Sequence, residues 1–162
     1  MKTSNLILIF SLFILSCNQN QENKPLNESK NELKFEYDSV LAKKIGADDY
    51  GMKKYVMAFL KSGPNRSQDS ITRVQLQRAH LDNIKKLAEN GKLVLAGPFF
   101  GNDSIRGIYI FNVSSIKEAK QLTNTDPAIK AGSLVMDLKE WYGSAALVLL
   151  NNEHKKIAKK QI

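Results

Sequence analysis

From residue 52 onward, apolar positions fall into short runs separated by glycine, proline and polar clusters. Residues 55–60 are continuously apolar and end at Ser62-Gly63-Pro64-Asn65, the pattern of a strand followed by a breaker. Thr72 and Gln75 have the spacing of a capping box, which predicts a helix from there to about Asn90, with Gly91 as its C-terminal stop. Within that helix Leu76, His80, Ile84 and Leu87 share one face. Residues 92–96 predict a second strand closed by Gly97-Pro98, Gly101-Asn102-Asp103 a turn, and residues 107–113 a third strand. Ser114 or Ser115 caps a second helix over about residues 116–124, stopped by Asp126-Pro127 because proline disfavours a helical residue before it. One further turn, with Gly132 as its exit, leads to a fourth strand at residues 134–141. Residues 144–162 form an extension compatible with a helix and ending in a lysine-rich tail.

The order β-α-β-β-α-β predicts an α+β fold of the ferredoxin-like kind: an antiparallel sheet with two helices on one face. In a monomer the other face should be polar. Here Tyr55, Met57 and Phe59 alternate with Val56, Ala58 and Leu60, and Ile108 and Ile110 alternate with Tyr109 and Phe111. A sheet with two apolar faces needs a second cover. The expected cover is the same sheet of another copy, giving a homodimer through the sheet faces. The alternative is the C-terminal extension folding back.

The N-terminus has a different pattern. Lys2 precedes an apolar run at residues 6–15, too short for a comfortable membrane span of about 20 residues and of the size of a signal-peptide core. The run ends in Ile14-Leu15-Ser16-Cys17, which resembles a bacterial lipobox, with Leu15 where a smaller residue is common. Residues 1–16 are therefore expected to be a lipoprotein signal peptide and Cys17 the lipidated residue, anchored to the membrane by two or three acyl chains. Asn18 follows in place of an aspartate that favours inner-membrane retention, so the expected location is the bacterial envelope, at the outer membrane facing the periplasm. Residues 18–34 lack apolar periodicity and read as a disordered stretch. The expected organisation is a tether over 17–50, with a short element near 35–50, a domain over 51–143 and a basic extension over 144–162.

The chain has 162 residues, 25% charged and 43% hydrophobic, ordinary for one globular domain with appendages. Its formal net charge is +8, although residues 18–50 are net acidic. The excess suits a solvated basic surface, an anionic membrane or an anionic ligand, and no arginine-rich run interleaved with aromatics points to nucleic acid. Cys17 is the single cysteine and the two histidines lie far apart in sequence, so neither an internal disulfide nor a zinc site is expected. No phosphate loop or dinucleotide fingerprint is present, and no cofactor is expected.

By residue type, His80 and Asp126 stand out. His80 lies on the apolar helix face, where the plainer reading is a core histidine held by a backbone carbonyl. Asp126 before Pro127 is a common turn former. If the fold brings them together, the carboxylate would accept the Nδ1 proton and leave Nε2 as a base. Gly97, Pro98 and Phe99, with Phe100 and Trp141, are candidate walls of a substrate pocket, though aromatics near strand ends more often serve the core. Ser62 and Ser104 have no nucleophile context, and His154 sits in the basic tail.

Arg78-Ala79-His80-Leu81, Gly91-Lys92-Leu93, Ala96-Gly97-Pro98 and Thr125-Asp126-Pro127 resemble, in order and spacing, the landmarks of the YCII (YciI-like) family over about residues 53–143. That resemblance implies a dimeric α+β barrel with a His–Asp pair in a cleft of each subunit, here His80 and Asp126. Gln77 stands where many relatives carry an arginine. The expected function is proton transfer on a small molecule, of isomerase or lyase type. The alternatives are a ligand-binding module without turnover and a structural envelope lipoprotein.

Overall fold

Residues 36–101 and 103–160 are described by a computed structural model. A short helix, α1 (Ser39–Ile45), precedes strand β1 (Met52–Ser62), helix α2 (Ser70–Glu89), strands β2 (Leu93–Pro98) and β3 (Ile105–Phe111), helices α3 (Ile116–Thr123) and α4 (Pro127–Lys130), and strand β4 (Leu134–Ser144). A 3₁₀ turn (Ala145–Leu149) and helix α5 (Leu150–Ile157) follow. Every strand pairing is antiparallel and the order is β2-β3-β1-β4, the ferredoxin-like α+β fold.

Period-two alternation decides what each face carries. In the central strand Ala58 lies opposite Tyr109 of β3 and Leu138 of β4. Val56, Ala58, Leu60, Leu93, Tyr109 and Phe111 therefore point toward the helices, where they pack with Leu87 of α2 and Ala119 of α3. Burial of an aliphatic side chain there contributes about 1.5–3 kcal/mol.

Helix α2 starts earlier than its capping-box pattern predicts. Asp69, not Thr72, is the N-cap, and its carboxylate accepts from the Thr72 amide at 2.7 Å. Asp ranks among the best N-caps, and it leaves Thr72 as the amide donor two residues into the helix. The other end behaves as predicted, with Gly91 at φ 65° after the C-cap Asn90. Ser115 caps α3 by accepting from the Glu118 amide.

The second sheet face is covered in part by the chain itself. Tyr55, Val94 and Ile110 are buried there against Met57, Leu95, Trp141, Leu147 and Val148. Leu147 and Val148 belong to the 3₁₀ turn, so the C-terminal extension folds back over this end. The Tyr55 hydroxyl donates to the Ser144 carbonyl at 3.0 Å, and the Ala145 amide donates to the Gly51 carbonyl at 2.9 Å. A second copy is thus not needed to bury Tyr55 or Ile110. Phe59 and Ile108, toward the other end, stay half-buried.

Residues before 51 also pack onto the sheet end. Asp38 caps α1, Gly46 closes it at φ 72°, and Lys53 donates to the Ile45 carbonyl at 3.3 Å and to Asn112 at 2.9 Å. Helix α1 falls within the short element expected near 35–50. The expected signal peptide and Cys17 lie outside the described residues.

Candidate functional site

Helix α2 turns two polar side chains inward, three residues apart and so on one face: His80 and Asn83. Both meet the corner between α3 and α4. His80 Nδ1 lies 2.6 Å from Asp126 Oδ2, and Thr125 Oγ1 donates to Asn83 Oδ1 at 2.9 Å. The corner exists because Pro127 cannot continue α3 and instead starts α4, with Asp126 as N-cap. Asp126 thereby has two tasks. Its Oδ1 accepts from the Ala128 amide at 2.8 Å, and its Oδ2 faces the imidazole. It is fully buried, and His80 is 7% exposed. The plainer reading of His80, a ring held by a backbone carbonyl, gives way to one held by a carboxylate.

The corner is braced from the other side. Gly63 and Asn65, just after β1, donate their amides to the Ser133 and Gly132 carbonyls at 2.9 and 3.0 Å. The approach requires glycine: a Cβ on Gly63 would lie 2.1 Å from the Gly132 oxygen.

The remaining ring nitrogen meets Tyr109. Its hydroxyl is 3.2 Å from His80 Nε2, and the two rings lie nearly parallel, 22° apart with centroids at 6.1 Å. Tyr109 is 2% exposed and packs edge-on against Phe111. Burial, reinforced by the charge of Asp126, pushes its phenol pKa well up, so the hydroxyl keeps its proton. In the neutral tautomer with Nδ1 donating to Asp126, Nε2 accepts and Tyr109 donates to it. Asp126, His80 and Tyr109 form one buried chain of hydrogen bonds. Tyr109 was not among the residues singled out by sequence, although strand alternation places it on the helix side. A tyrosine buried there needs a partner for its hydroxyl, and that was the available signal.

The expected pocket walls do not gather at the pair. Trp141 points to the opposite sheet face, where it packs on Tyr55 with ring centroids at 5.9 Å and lies across Gly143. It is therefore no wall of a cleft beside His80. Gly97 and Pro98 end β2, and the space a Cβ on Gly97 would enter is open. Phe99 and Phe100 are exposed and rim a concavity with Asp103, Ser104 and Ile105. A second, shallow groove runs along α2 past Val74, Gln77, Arg78 and Leu81. Neither is lined by His80 or Asp126. Arg78, next to Gln77, pairs with Asp82 one turn on. Among the described residues no cluster of His, Cys, Asp and Glu gathers to hold a metal ion.

The family profile described as "YCII-related domain" matches residues 55–142, which include both members of the His–Asp pair. A relative in Bacillus subtilis (strain 168), "Uncharacterized protein YjpA", is 31% identical over 62 residues, covering 38% of this chain and 71% of the relative. Among solved structures, 5-chloro-2-hydroxyhydroquinone dehydrochlorinase (TftG) from Burkholderia phenoliruptrix AC1100, in complex with 2,5-dihydroxybenzoquinone, aligns with a TM-score of 0.41 and 21% identity, covering 53% of this chain and 92% of that one.

Proposed function

Because this chain belongs to the YCII-related domain family, we propose that it is a small-molecule enzyme in which His80 is the general base and Asp126 orients it. The supporting observation is the 2.6 Å contact between His80 Nδ1 and a fully buried Asp126 carboxyl. In this reading Asp126 fixes the tautomer with Nδ1 protonated, and Nε2 takes a proton from a carbon acid or an enolisable ring. The carboxylate then stabilises the imidazolium. Returning the proton to another atom gives isomerisation, and departure of an adjacent leaving group with its electron pair gives elimination. Isotope exchange tests this without knowledge of the full reaction. Small carbon acids incubated with the protein in D₂O should exchange at an activated C–H, and His80→Asn should abolish the exchange while remaining folded. Exchange retained in His80→Asn rejects the base.

A second reading is a binding module without turnover, favoured by the burial of His80 and by the contact of Nε2 with Tyr109. Ligand protection against heating that is lost in His80→Asn, with no product formed, would favour it.

We further propose that Cys17 carries the lipid and holds the protein at the envelope, at the outer membrane facing the periplasm, with the sequence Ile14-Leu15-Ser16-Cys17 as support. Labelled palmitate should enter the wild type in a bacterial host and not Cys17→Ala. A homodimer through the uncovered end of the second sheet face, around Phe59 and Ile108, belongs to the same proposal. Sedimentation of the purified protein as a monomer at high concentration would reject it.

A further inference from the structure

The proposed base raises a problem of access: in this conformation Nε2 is not open to a ligand. His80 is 7% exposed, and the group facing Nε2 is the Tyr109 hydroxyl at 3.2 Å. The phenol is held in place from several directions. Its strand pairs with β1 on one side and β2 on the other, with Tyr109 opposite Ala58 and Ala96. Its ring lies edge-on to Phe111 at 5.7 Å and nearly parallel to the imidazole. The residues that flank it across the sheet are small, buried Ala58 on one side and exposed Ala96 on the other, which leaves room on the helix side for the ring.

Resting on the reading of His80 as a base, we infer that Tyr109 is a positioning residue that caps Nε2 in the resting protein and yields it when a ligand enters. The chemistry of the contact suits a cap. A phenol that keeps its proton is always able to donate to a bare Nε2, so it holds the imidazole in the tautomer that Asp126 also requires. Two partners, one on each ring nitrogen, then fix both the ring plane and the proton. The same hydroxyl is able to accept from Nε2 once the ring is protonated, so the contact survives proton uptake. The bond is neutral and 3.2 Å long, weaker than the 2.6 Å contact to the carboxyl. Of the two it is therefore the one that opens. A ligand reaching Nε2 has to replace a hydrogen-bond donor, so its reacting group is itself a donor or a polarised C–H rather than a bare anion.

The chain has only two histidines, which makes a direct test possible. Diethyl pyrocarbonate acylates unprotonated imidazole nitrogen, and peptide mass mapping of the full-length protein follows His80 and the exposed His154 separately. In the wild type His80 should react far more slowly than His154. Tyr109→Phe keeps the ring and removes the hydroxyl. It should raise the His80 rate roughly tenfold, the factor that loss of one hydrogen bond of this class corresponds to, and leave His154 unchanged. Leu87→Ala loosens the same core without touching the hydroxyl and should leave His80 slow. An unchanged His80 rate in Tyr109→Phe overturns the cap. So does an equal increase in Leu87→Ala, which would assign the effect to general loosening. Nitrogen NMR of the imidazole separates this from the base itself. The wild type should show protonated Nδ1 and bare Nε2, with the Nε2 resonance moving further from that of a protonated nitrogen in Tyr109→Phe. The opposite tautomer in the wild type defeats the base reading, whereas an unmoved Nε2 resonance in Tyr109→Phe defeats only the cap.

Discussion

Asp126 concentrates more of the site's energetics than any other single side chain. Removing its carboxyl strands two buried donors at once, the Ala128 amide and His80 Nδ1. Asp126→Ala should therefore cost about 3 kcal/mol in urea unfolding. Asp126→Asn keeps a carbonyl oxygen for one of them and should cost about 1 kcal/mol; equal losses in the two variants would mean that packing, not hydrogen bonding, sets the cost. The buried tyrosines make a separate statement at high pH. Burial pushes the Tyr55 phenol up to about 12, and Tyr109 is raised by burial and by Asp126. An unfolded tyrosine loses its proton near pH 10. Both groups thus hold protons in the folded state that the unfolded state gives up. Their contribution is complete below about pH 10 and declines as pH rises above it. Stability measured between pH 9 and pH 11 should fall in the wild type and fall less steeply in the Tyr55→Phe, Tyr109→Phe double variant. A parallel decline would remove the tyrosines from the account. His80 and Asp126 were legible in the sequence because family landmarks marked both, while spacing alone left His80 a plausible core residue. Tyr109 was not legible because an apolar alternation hides a polar tip: its ring satisfies the pattern and says nothing of where the hydroxyl goes.

At the scale of elements, the pair depends on a corner rather than on a strand or a helix alone. The loop after β1 grips the turn between α4 and β4 through Gly63, whose missing side chain permits the backbone approach to Gly132. A methyl group there meets fixed backbone, so Gly63→Ala should cost about 2 kcal/mol in chemical denaturation. The loss should also blur the His80 imidazole spectrum, because the corner that carries Asp126 moves. A variant of wild-type stability would show that the loop shifts freely. Element types were well marked along the chain: the breaker after β1, Gly91 after α2, Ser115 before α3 and Asp126-Pro127 each act where their chemistry predicts. Boundaries were less so. Strands β1 and β4 run eleven residues each, longer than their apolar runs, because cross-strand partners such as Lys54 with Glu140 and Lys61 with Asp137 extend the ladder through charged positions. Asp69 displaced the expected capping box because a carboxylate just upstream competes for the same amides.

For the molecule as a whole, the informative feature is the second sheet face. Its apolar character was legible, and so was the need for a cover, but composition could not rank a second copy against the chain's own tail. The fold assigns Leu147 and Val148 to Tyr55, Ile110 and Trp141. Ending the chain after Gly143 should therefore cost about 3 kcal/mol, the scale of two half-buried aliphatic side chains together with the bonds to Tyr55, and should shift the emission of Trp141, the single tryptophan, to the red. Unchanged emission would place the tail elsewhere in solution. Helix α5 carries one more contact of consequence: the Asn151 side chain donates to the Leu93 carbonyl at 2.7 Å. Strand β2 is an outer strand of the sheet, and an outer strand with free carbonyls is a template on which foreign strands stack into fibrils. With an amide on one of those carbonyls and a helix laid beside it, the tail blunts part of an edge of the kind to which foreign strands add.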